Sequence, residues 1–196
     1  MQNKNIILCG VGGQGTILAS KLISAAAMRM GLEVKTAETI GMAQRGGSVF
    51  SHVRLGKGLH SPMIAPGKAD LIIGFEPAEA VRHLPWLKEG GTVVASSAPI
   101  FPVSAMIGAS TYALEEILQH LRDQVKDLVL VDSERAAGDL GSAKVLNVLL
   151  LGAALRTGAL GLEEKELREA MRERVPEKFW ELNEKALMYT SERNMP

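Results

Sequence analysis

A chain of 196 residues, 46% of them hydrophobic, is long enough for one well-buried domain and short for two. Its 22 basic and 22 acidic residues balance, and only 4% of its residues are aromatic, so we expect neither a nucleic acid nor a membrane surface as a partner. The most apolar run, residues 145–155, is too short to cross a bilayer, and no secretion signal precedes the first strand. We therefore expect a soluble, cytoplasmic protein.

The predicted elements alternate between strands and helices. Strands are expected at residues 5–9, 33–38, 48–55, 70–75, 91–95 and 128–132. Helices are expected at residues 14–30, 76–84, 114–125, 142–155, 163–175 and 176–192. The alternation predicts a three-layer α/β fold with a mainly parallel, open, Rossmann-like sheet and a helical C-terminal extension. We expect a single domain over residues 1–196, with the sheet core at about 1–141 and the C-terminal helices at about 142–196 packed on their own sheet or on a neighbouring subunit.

The first glycine-rich loop follows the first strand and leads into a helix. Gly10, Gly12 and Gly15 fit the pattern G-x-G-x-x-G, which can seat a pyrophosphate on a helix N-terminus. Glu38, near the end of the second strand, is then a candidate for binding a ribose hydroxyl. Alternatively, the glycines only permit a tight turn and close contact between helix and strand. An NAD(P)-binding dehydrogenase domain is therefore one open interpretation.

A second glycine-rich loop, residues 41–47 (GMAQRGG), follows the second strand. Arg45 in this loop is suited to bind a carboxylate or phosphate beside successive backbone N–H groups, although a solvated loop arginine is the alternative. Both loops are expected to follow adjacent strands, at the edge where open α/β sheets bind ligands. We predict that the residues facing substrate or cofactor are Gly10, Gly12, Gly13, Gln14, Gly15, Gln44, Arg45, Gly46 and Gly47.

The remaining chemistry-bearing residues point to no catalytic centre. Cys9 is the only cysteine, so the chain has no internal disulfide and no cysteine set for an iron–sulfur cluster or a multi-cysteine zinc site; we expect Cys9 in the core. His52 and His60 have no partner at metal-ligand spacing, so no metal site is predicted. No G-x-S-x-G nucleophile motif is present, and no catalytic residue is assigned. A helix start with a capping residue is expected at Asp132 and the residues that follow it.

The motifs together resemble the gamma-type subunit of the 2-oxoacid:ferredoxin oxidoreductases. The resemblance rests on residues 10–15 (GVGGQG), 41–48 (GMAQRGGS), 51–54 (SHVR), 70–77 (DLIIGFEP) and 87–93 (LKEGGTV), and it covers nearly the whole chain. Members that act on pyruvate or 2-oxoglutarate tend to carry a segment of the GPEARGG kind before the third strand. Residues 42–45 (MAQR) look more like the beta subunit of indolepyruvate ferredoxin oxidoreductase.

This resemblance implies a subunit of a thiamine-diphosphate-dependent complex. Such a complex oxidatively decarboxylates an arylpyruvate, such as indolepyruvate, to an acyl-CoA and CO2, and it reduces ferredoxin. The resemblance places thiamine diphosphate and the iron–sulfur clusters on a partner alpha subunit and makes coenzyme A a co-substrate of the complex. We expect this chain to bind no cofactor tightly, to be inactive alone, and to place its glycine loops at the subunit junction. A non-catalytic scaffold subunit is the other alternative.

Overall fold

Six strands and eight helices lie within residues 3–38 and 47–189, which are the residues that the computed structural model describes. The strands are β1 (Lys4–Val11), β2 (Glu33–Glu38), β3 (Ser48–Gly56), β4 (Ala69–Gly74), β5 (Leu87–Ser96) and β6 (Asp127–Val131). The helices are α1 (Thr16–Arg29), α2 (Pro77–His83), α3 (Val103–Met106), α4 (Leu114–Gln124), α5 (Ser133–Leu140), α6 (Leu146–Arg156), α7 (Glu164–Arg174) and α8 (Trp180–Met188). The predicted strands are all present, and only the four-residue helix α3 has no counterpart in the prediction.

The sheet has the order β2-β3-β1-β4-β5-β6. Strands β1, β4, β5 and β6 pair in parallel, whereas β3 is antiparallel to both of its neighbours. The prediction of a mainly parallel sheet is confirmed, with β3 as the reversed strand. The connection from β2 to β3, residues 39–47, is shorter than the dozen or so residues that a parallel crossover needs, so β3 returns beside β2 in the opposite direction.

Helices cover both faces of the sheet and give it two cores. Side chains alternate along β1, so that Ile6 and Leu8 enter the core beneath α1 and α6, whereas Ile7 and Cys9 enter the core beneath α2 and α4. Because both faces are covered, the central strands are almost continuously apolar. The three predicted layers are confirmed.

Of the C-terminal helices, α6 packs directly on its own sheet, which is one of the two arrangements expected from the sequence, and α7 and α8 pack on helices of the same chain. Helix α6 is buried from Asn147 to Ala154 and contacts β4, β5 and β6. Helix α8 packs against α6 at Gly152, where a Cβ atom would lie 2.1 Å from the Leu187 carbonyl oxygen. Helix α7 packs against α1. The last predicted helix begins instead with a short 3-10 turn and continues as α8, and its residues 190–192 lie outside the described residues.

Within residues 3–38 and 47–189, none of the helices combines the length and hydrophobicity of a membrane-spanning segment.

Candidate functional site

The turn after β1 meets the segment that enters β3. Val11 pairs with Ser48 across the antiparallel ladder, so the end of β1 and the start of β3 lie at one edge of the sheet. The Gly12 N–H donates to the Gly47 carbonyl oxygen at 3.0 Å. The expectation that the two loops follow adjacent strands is wrong, because β3 lies between β1 and β2; the second loop instead reaches the first through its C-terminal arm. The predicted site residues Gln44, Arg45 and Gly46 lie outside the described residues.

Gln14 connects the ends of two central strands. Its Oε1 atom accepts a hydrogen bond from the Val11 N–H at 2.7 Å, and its Nε2 atom donates to the Phe75 carbonyl oxygen at 2.7 Å. A Cβ atom at Gly10 would lie 2.7 Å from both Gln14 Oε1 and Phe75 Cβ. Gly10 therefore permits close packing of the turn, and both polar atoms of the Gln14 side chain are bonded within the chain.

The turn ends at the N-terminus of α1. Gly13 and Gly15 have φ values of 102° and 84°, in the left-handed region that favours glycine. Gly13 is exposed, and a Cβ atom there would contact nothing within 4 Å. Gly15 is the N-cap of α1 without a side-chain cap, and the first turn of α1 contains no acidic residue. The positive end of the helix dipole is therefore not neutralised by a carboxylate in the first turn of α1.

A cleft of about 180 Å³ lies at the carboxyl ends of β1, β5 and β6. Its lining residues are Gln14, Ser96, Ala98, Pro99, Ile100, Ser133, Glu134, Ala137, Ser142, Ala143, Val145, Leu146 and Leu149. Two buried hydroxyls in it, Ser96 and Ser133, are hydrogen-bonded to each other at 2.7 Å. The cleft is smaller than a typical ligand pocket of about 300–1,000 Å³. The sequence signal for this cleft is the run of small residues that follows the predicted strand 91–95.

Two buried carboxylates, which were not among the residues predicted for the site, begin α2 beside this edge. Glu76 caps the helix by accepting the Glu79 N–H at 2.9 Å, and its other oxygen accepts the Tyr112 hydroxyl and the Ile100 N–H. Glu79 accepts the Ser48 hydroxyl at 2.6 Å, which connects α2 to the start of β3. The sequence signal for Glu76 was its position before Pro77 at a helix start.

The Glu76 and Glu79 carboxylates also raise the pKa values of two neighbouring groups, Cys9 and Tyr112. Burial, together with the charges of Glu79 and Glu76, raises the pKa of the Cys9 thiol well above its ordinary value. Burial and the hydrogen bond to Glu76 raise the pKa of the Tyr112 phenol. Both groups are therefore kept in their neutral forms, and the prediction that Cys9 lies in the core is confirmed.

The two histidines considered as metal ligands, His52 and His60, differ in burial. His52 is buried, and its Nδ1 atom accepts the Ile64 N–H at 3.3 Å. Burial and the nearby His83 lower the pKa of His52, so its neutral form is favoured. His60 is exposed. Across residues 3–38 and 47–189, no three His, Cys, Asp or Glu side chains converge to hold a metal ion.

Glu38 does not take the position that a dinucleotide site requires. In a dinucleotide-binding sheet the second strand lies beside the first, whereas β3 separates β2 from β1 here. The Glu38 carboxylate accepts a hydrogen bond at 2.9 Å from Ser20 on α1. The first glycine turn therefore lacks the acidic partner on which the dehydrogenase interpretation depended.

Known proteins are similar in sequence to this chain over nearly its full length. A family model described as pyruvate ferredoxin/flavodoxin oxidoreductase matches residues 5–192. The indolepyruvate oxidoreductase subunit IorB of Pyrococcus horikoshii is 39% identical over 95% of this chain and 93% of its own length. The protein of the same name from Archaeoglobus fulgidus is 41% identical over 93% of this chain and 91% of its own length. A common subunit gamma of pyruvate/ketoisovalerate oxidoreductases from Thermococcus kodakarensis is 26% identical over 90% of this chain and 89% of its own length.

Solved structures share the fold. The gamma subunit of a keto/oxoacid ferredoxin oxidoreductase from Geobacter sulfurreducens aligns with a TM-score of 0.70 at 23% identity, over 95% of this chain and 93% of that one. A 2-oxoglutarate:ferredoxin oxidoreductase chain from Magnetococcus marinus aligns with a TM-score of 0.70 at 21% identity, over 95% of this chain but only 30% of that one. The same α/β unit therefore occurs both as a separate chain and as part of a longer one.

Proposed function

The chain belongs to the pyruvate ferredoxin/flavodoxin oxidoreductase family as a gamma-type subunit, and on that premise we propose that it serves a complex acting on arylpyruvates such as indolepyruvate. The observation that carries this proposal is the difference in identity between branches. Four relatives named indolepyruvate oxidoreductase subunit IorB are 38–41% identical to this chain, whereas the pyruvate/ketoisovalerate gamma subunits are 25–26% identical. The more similar branch suggests the substrate class.

In the proposed complex the reaction chemistry belongs to a partner alpha subunit. Thiamine diphosphate there would supply the carbanion that attacks the keto carbon, and iron–sulfur clusters would carry the electrons to ferredoxin. The metal-ligating residues of this chain are consistent with clusters on the partner, because its only cysteine, Cys9, is fully buried and cannot reach a cluster. We infer that the isolated chain is inactive, that it acts in the cytoplasm, and that coenzyme A is the acyl acceptor of the complex.

The contribution of this chain would be made at the carboxyl edge of its sheet. The exposed turn at Gly13 and the uncapped N-terminus of α1 offer N–H groups to an anionic group of the substrate or of coenzyme A. Gln14 holds that turn against the end of β4 by its hydrogen bond to the Phe75 carbonyl oxygen, and Gly10 leaves room for this contact. Arg45, in the second loop, would add a guanidinium to the same anion. The cleft, at about 180 Å³, is small for a ligand pocket, which supports a cavity completed by the alpha subunit.

Reconstitution tests the proposed function. We expect the chain purified with the alpha subunit of the same organism to reduce ferredoxin in a reaction that requires indolepyruvate and coenzyme A, and each subunit alone to be inactive. Under the same conditions pyruvate should be the poorer substrate by kcat/KM. Tight binding of NAD(H) by the isolated chain, or a complex that prefers pyruvate, would contradict the proposal.

Kinetics of Arg45→Ala in the reconstituted complex test the proposed anion contact. A lost charge-assisted hydrogen bond is worth about 1.5–3 kcal/mol, so we expect the KM for coenzyme A or the arylpyruvate to rise about tenfold or more. Arg135→Ala, on the exposed side of α5, is the matched control and should leave both constants unchanged. If Arg45→Ala assembles normally and changes neither kcat nor KM for any substrate, Arg45 is not part of the site.

A further inference from the structure

The segment that connects β5 to α4, residues 97–113, presents an uncharged and largely apolar surface. The sequence contains no Asp, Glu, Lys, Arg or His between residues 90 and 114. Five large hydrophobic side chains in this segment are exposed: Ile100 (40%), Phe101 (52%), Val103 (68%), Met106 (74%) and Ile107 (73%). They are half of the ten large hydrophobic side chains that are exposed in the described part of the chain, and they fall within eight residues. We call this surface the 97–113 patch.

Hydrogen bonds at both ends of the segment hold the patch in place. The buried carboxylate of Glu76 accepts the Ile100 N–H and, twelve residues later, the Tyr112 hydroxyl. The Phe101 ring packs edge-on against Tyr112, with 5.3 Å between ring centroids. The Ser97 N–H donates to the Val131 carbonyl oxygen at 2.9 Å, which ties the start of the segment to β6. The exposed side chains are thus presented on an anchored segment, which lowers the entropy lost when a partner binds.

The size of the patch fits the centre of a protein interface. Scaled by the area that burying a whole Val, Ile, Met or Phe side chain removes from water, the exposed fractions correspond to roughly 200–350 Å² of apolar surface. Contiguous apolar patches of this size on single chains are often functional. A standard interface buries about 800 Å² on each partner around an apolar centre with a polar rim, so the patch supplies the centre and its surroundings the rim.

The position of the patch indicates which partner covers it. Ile100, with Ala98 and Pro99 before it, also lines the cleft at the carboxyl edge of the sheet, opposite Gln14. The patch and the cleft thus share Ile100, so a protein seated on the patch would lie beside that cleft. In the Magnetococcus marinus chain this fold is 30% of a longer polypeptide, so the same unit occurs joined to further protein.

From this placement we propose that the 97–113 patch docks the thiamine-diphosphate-bearing alpha subunit through an apolar, uncharged surface on that subunit. The proposal rests on the proposed function, because it takes the alpha subunit as the neighbour that completes the cleft. A second copy of this chain is the competing occupant of the patch. It is the poorer candidate, because its one cysteine cannot bring an iron–sulfur cluster to the cleft.

Charge substitutions on the patch test the docking. We expect Met106→Glu and, separately, Val103→Glu to weaken the affinity of this chain for the purified alpha subunit about thirtyfold or more, since each places a carboxylate in the apolar centre of the interface. Met28→Glu and Met63→Glu are matched controls, because these methionines are 55% and 57% exposed outside the patch. The controls should bind like the wild type. Thermal unfolding of each isolated variant should match the wild type, because all four side chains already face solvent.

The possible results separate the docking proposal from the proposed function. A wild-type complex that forms and is active, with both patch variants binding as tightly as the wild type, overturns the docking site and leaves the function standing. A wild-type chain that neither binds the alpha subunit nor supports its activity overturns the proposed function and the docking with it. A third result would also overturn the proposal: the isolated wild-type chain sediments as a dimer, whereas the Met106→Glu variant is monomeric and binds the alpha subunit with unchanged affinity. That result identifies a second copy as the occupant.

Discussion

The hydrogen bonds of Gln14 make a measurable prediction about how the first glycine turn is held. Replacing Gln14 with Met keeps the length of the side chain but removes both bonds, to the Val11 N–H and the Phe75 carbonyl oxygen. Each bond contributes about 1 kcal/mol net, and a carbonyl left without a donor in a buried residue adds a further ~1–2 kcal/mol. We therefore expect the free energy of unfolding to fall by about 2–4 kcal/mol.

Equilibrium unfolding of the isolated chain in urea checks this value, with a constant m-value as the sign that the unfolded state is unchanged. The corresponding decrease in Tm is about 5–15 °C for a chain of this size. Gln119→Met is the matched control, because Gln119 lies exposed on α4 and makes one exposed hydrogen bond, to Asp123. We expect less than about 0.5 kcal/mol from that change.

Gln14→Glu separates the two bonds. The introduced carboxylate still accepts the Val11 N–H but opposes the Phe75 carbonyl oxygen, so we expect a loss of stability at neutral pH. A protonated carboxyl group can donate to Phe75 again, so the difference from the wild type should shrink as the pH falls through the range where the introduced carboxylate protonates. If Gln14→Met costs no more than Gln119→Met, the Gln14 side chain neither connects β1 to β4 nor holds the turn.

Three further predictions concern the interior. Gly152→Ala should destabilise the chain by about 1–3 kcal/mol or more in urea unfolding, because its Cβ atom would lie 2.1 Å from the Leu187 carbonyl oxygen, whereas Gly138→Ala, at an open position on α5, should be neutral or slightly stabilising. Because the native pKa of His52 is lowered from its ordinary value of 6.5, the unfolded state binds more protons as the pH drops, so its contribution to stability is complete above about pH 6.5 and is lost as the pH falls towards the native pKa. A plot of the free energy of unfolding against pH that is equally steep for His52→Gln would contradict that assignment. Cys9 should react with a thiol-specific reagent only as fast as the native chain opens, because burial and a raised pKa suppress its thiolate; rapid labelling under native conditions would contradict its burial.

Much of the local structure could be predicted because each signal lies within a few neighbouring residues. The apolar run that ends in glycine fixed the first strand, and Asp132 was expected to cap a helix, as it does by accepting the Arg135 N–H at 3.0 Å. A helix was expected at residues 142–155, which include the most apolar run of the sequence, and the structure shows the buried helix α6 there. In each case the residue types and their spacing are sufficient evidence.

The arrangement of the candidate site could be predicted only in part. The glycine pattern predicted a tight turn with backbone open at a helix N-terminus, and Gly13 and Gly15 adopt the left-handed conformations that such a turn requires. The pattern did not reveal that Gly10 makes room for Gln14 and Phe75, because Phe75 lies more than sixty residues away along the chain. It also did not identify Glu76 as the anchor of the 97–113 patch, since a helix cap predicts only the local N–H partner.

By itself, then, the sequence of this protein determined most of its strands and helices, the buried state of its one cysteine and the family resemblance carried by its glycine loops. Tertiary structure alone decided that β3 reverses and separates β2 from β1, and so that Glu38 faces Ser20 on α1. It also decided that the cleft and the 97–113 patch share one edge of the sheet. The physical reason is that residue patterns encode how a segment bonds and buries itself, whereas strand order and long-range hydrogen bonds depend on which segments meet.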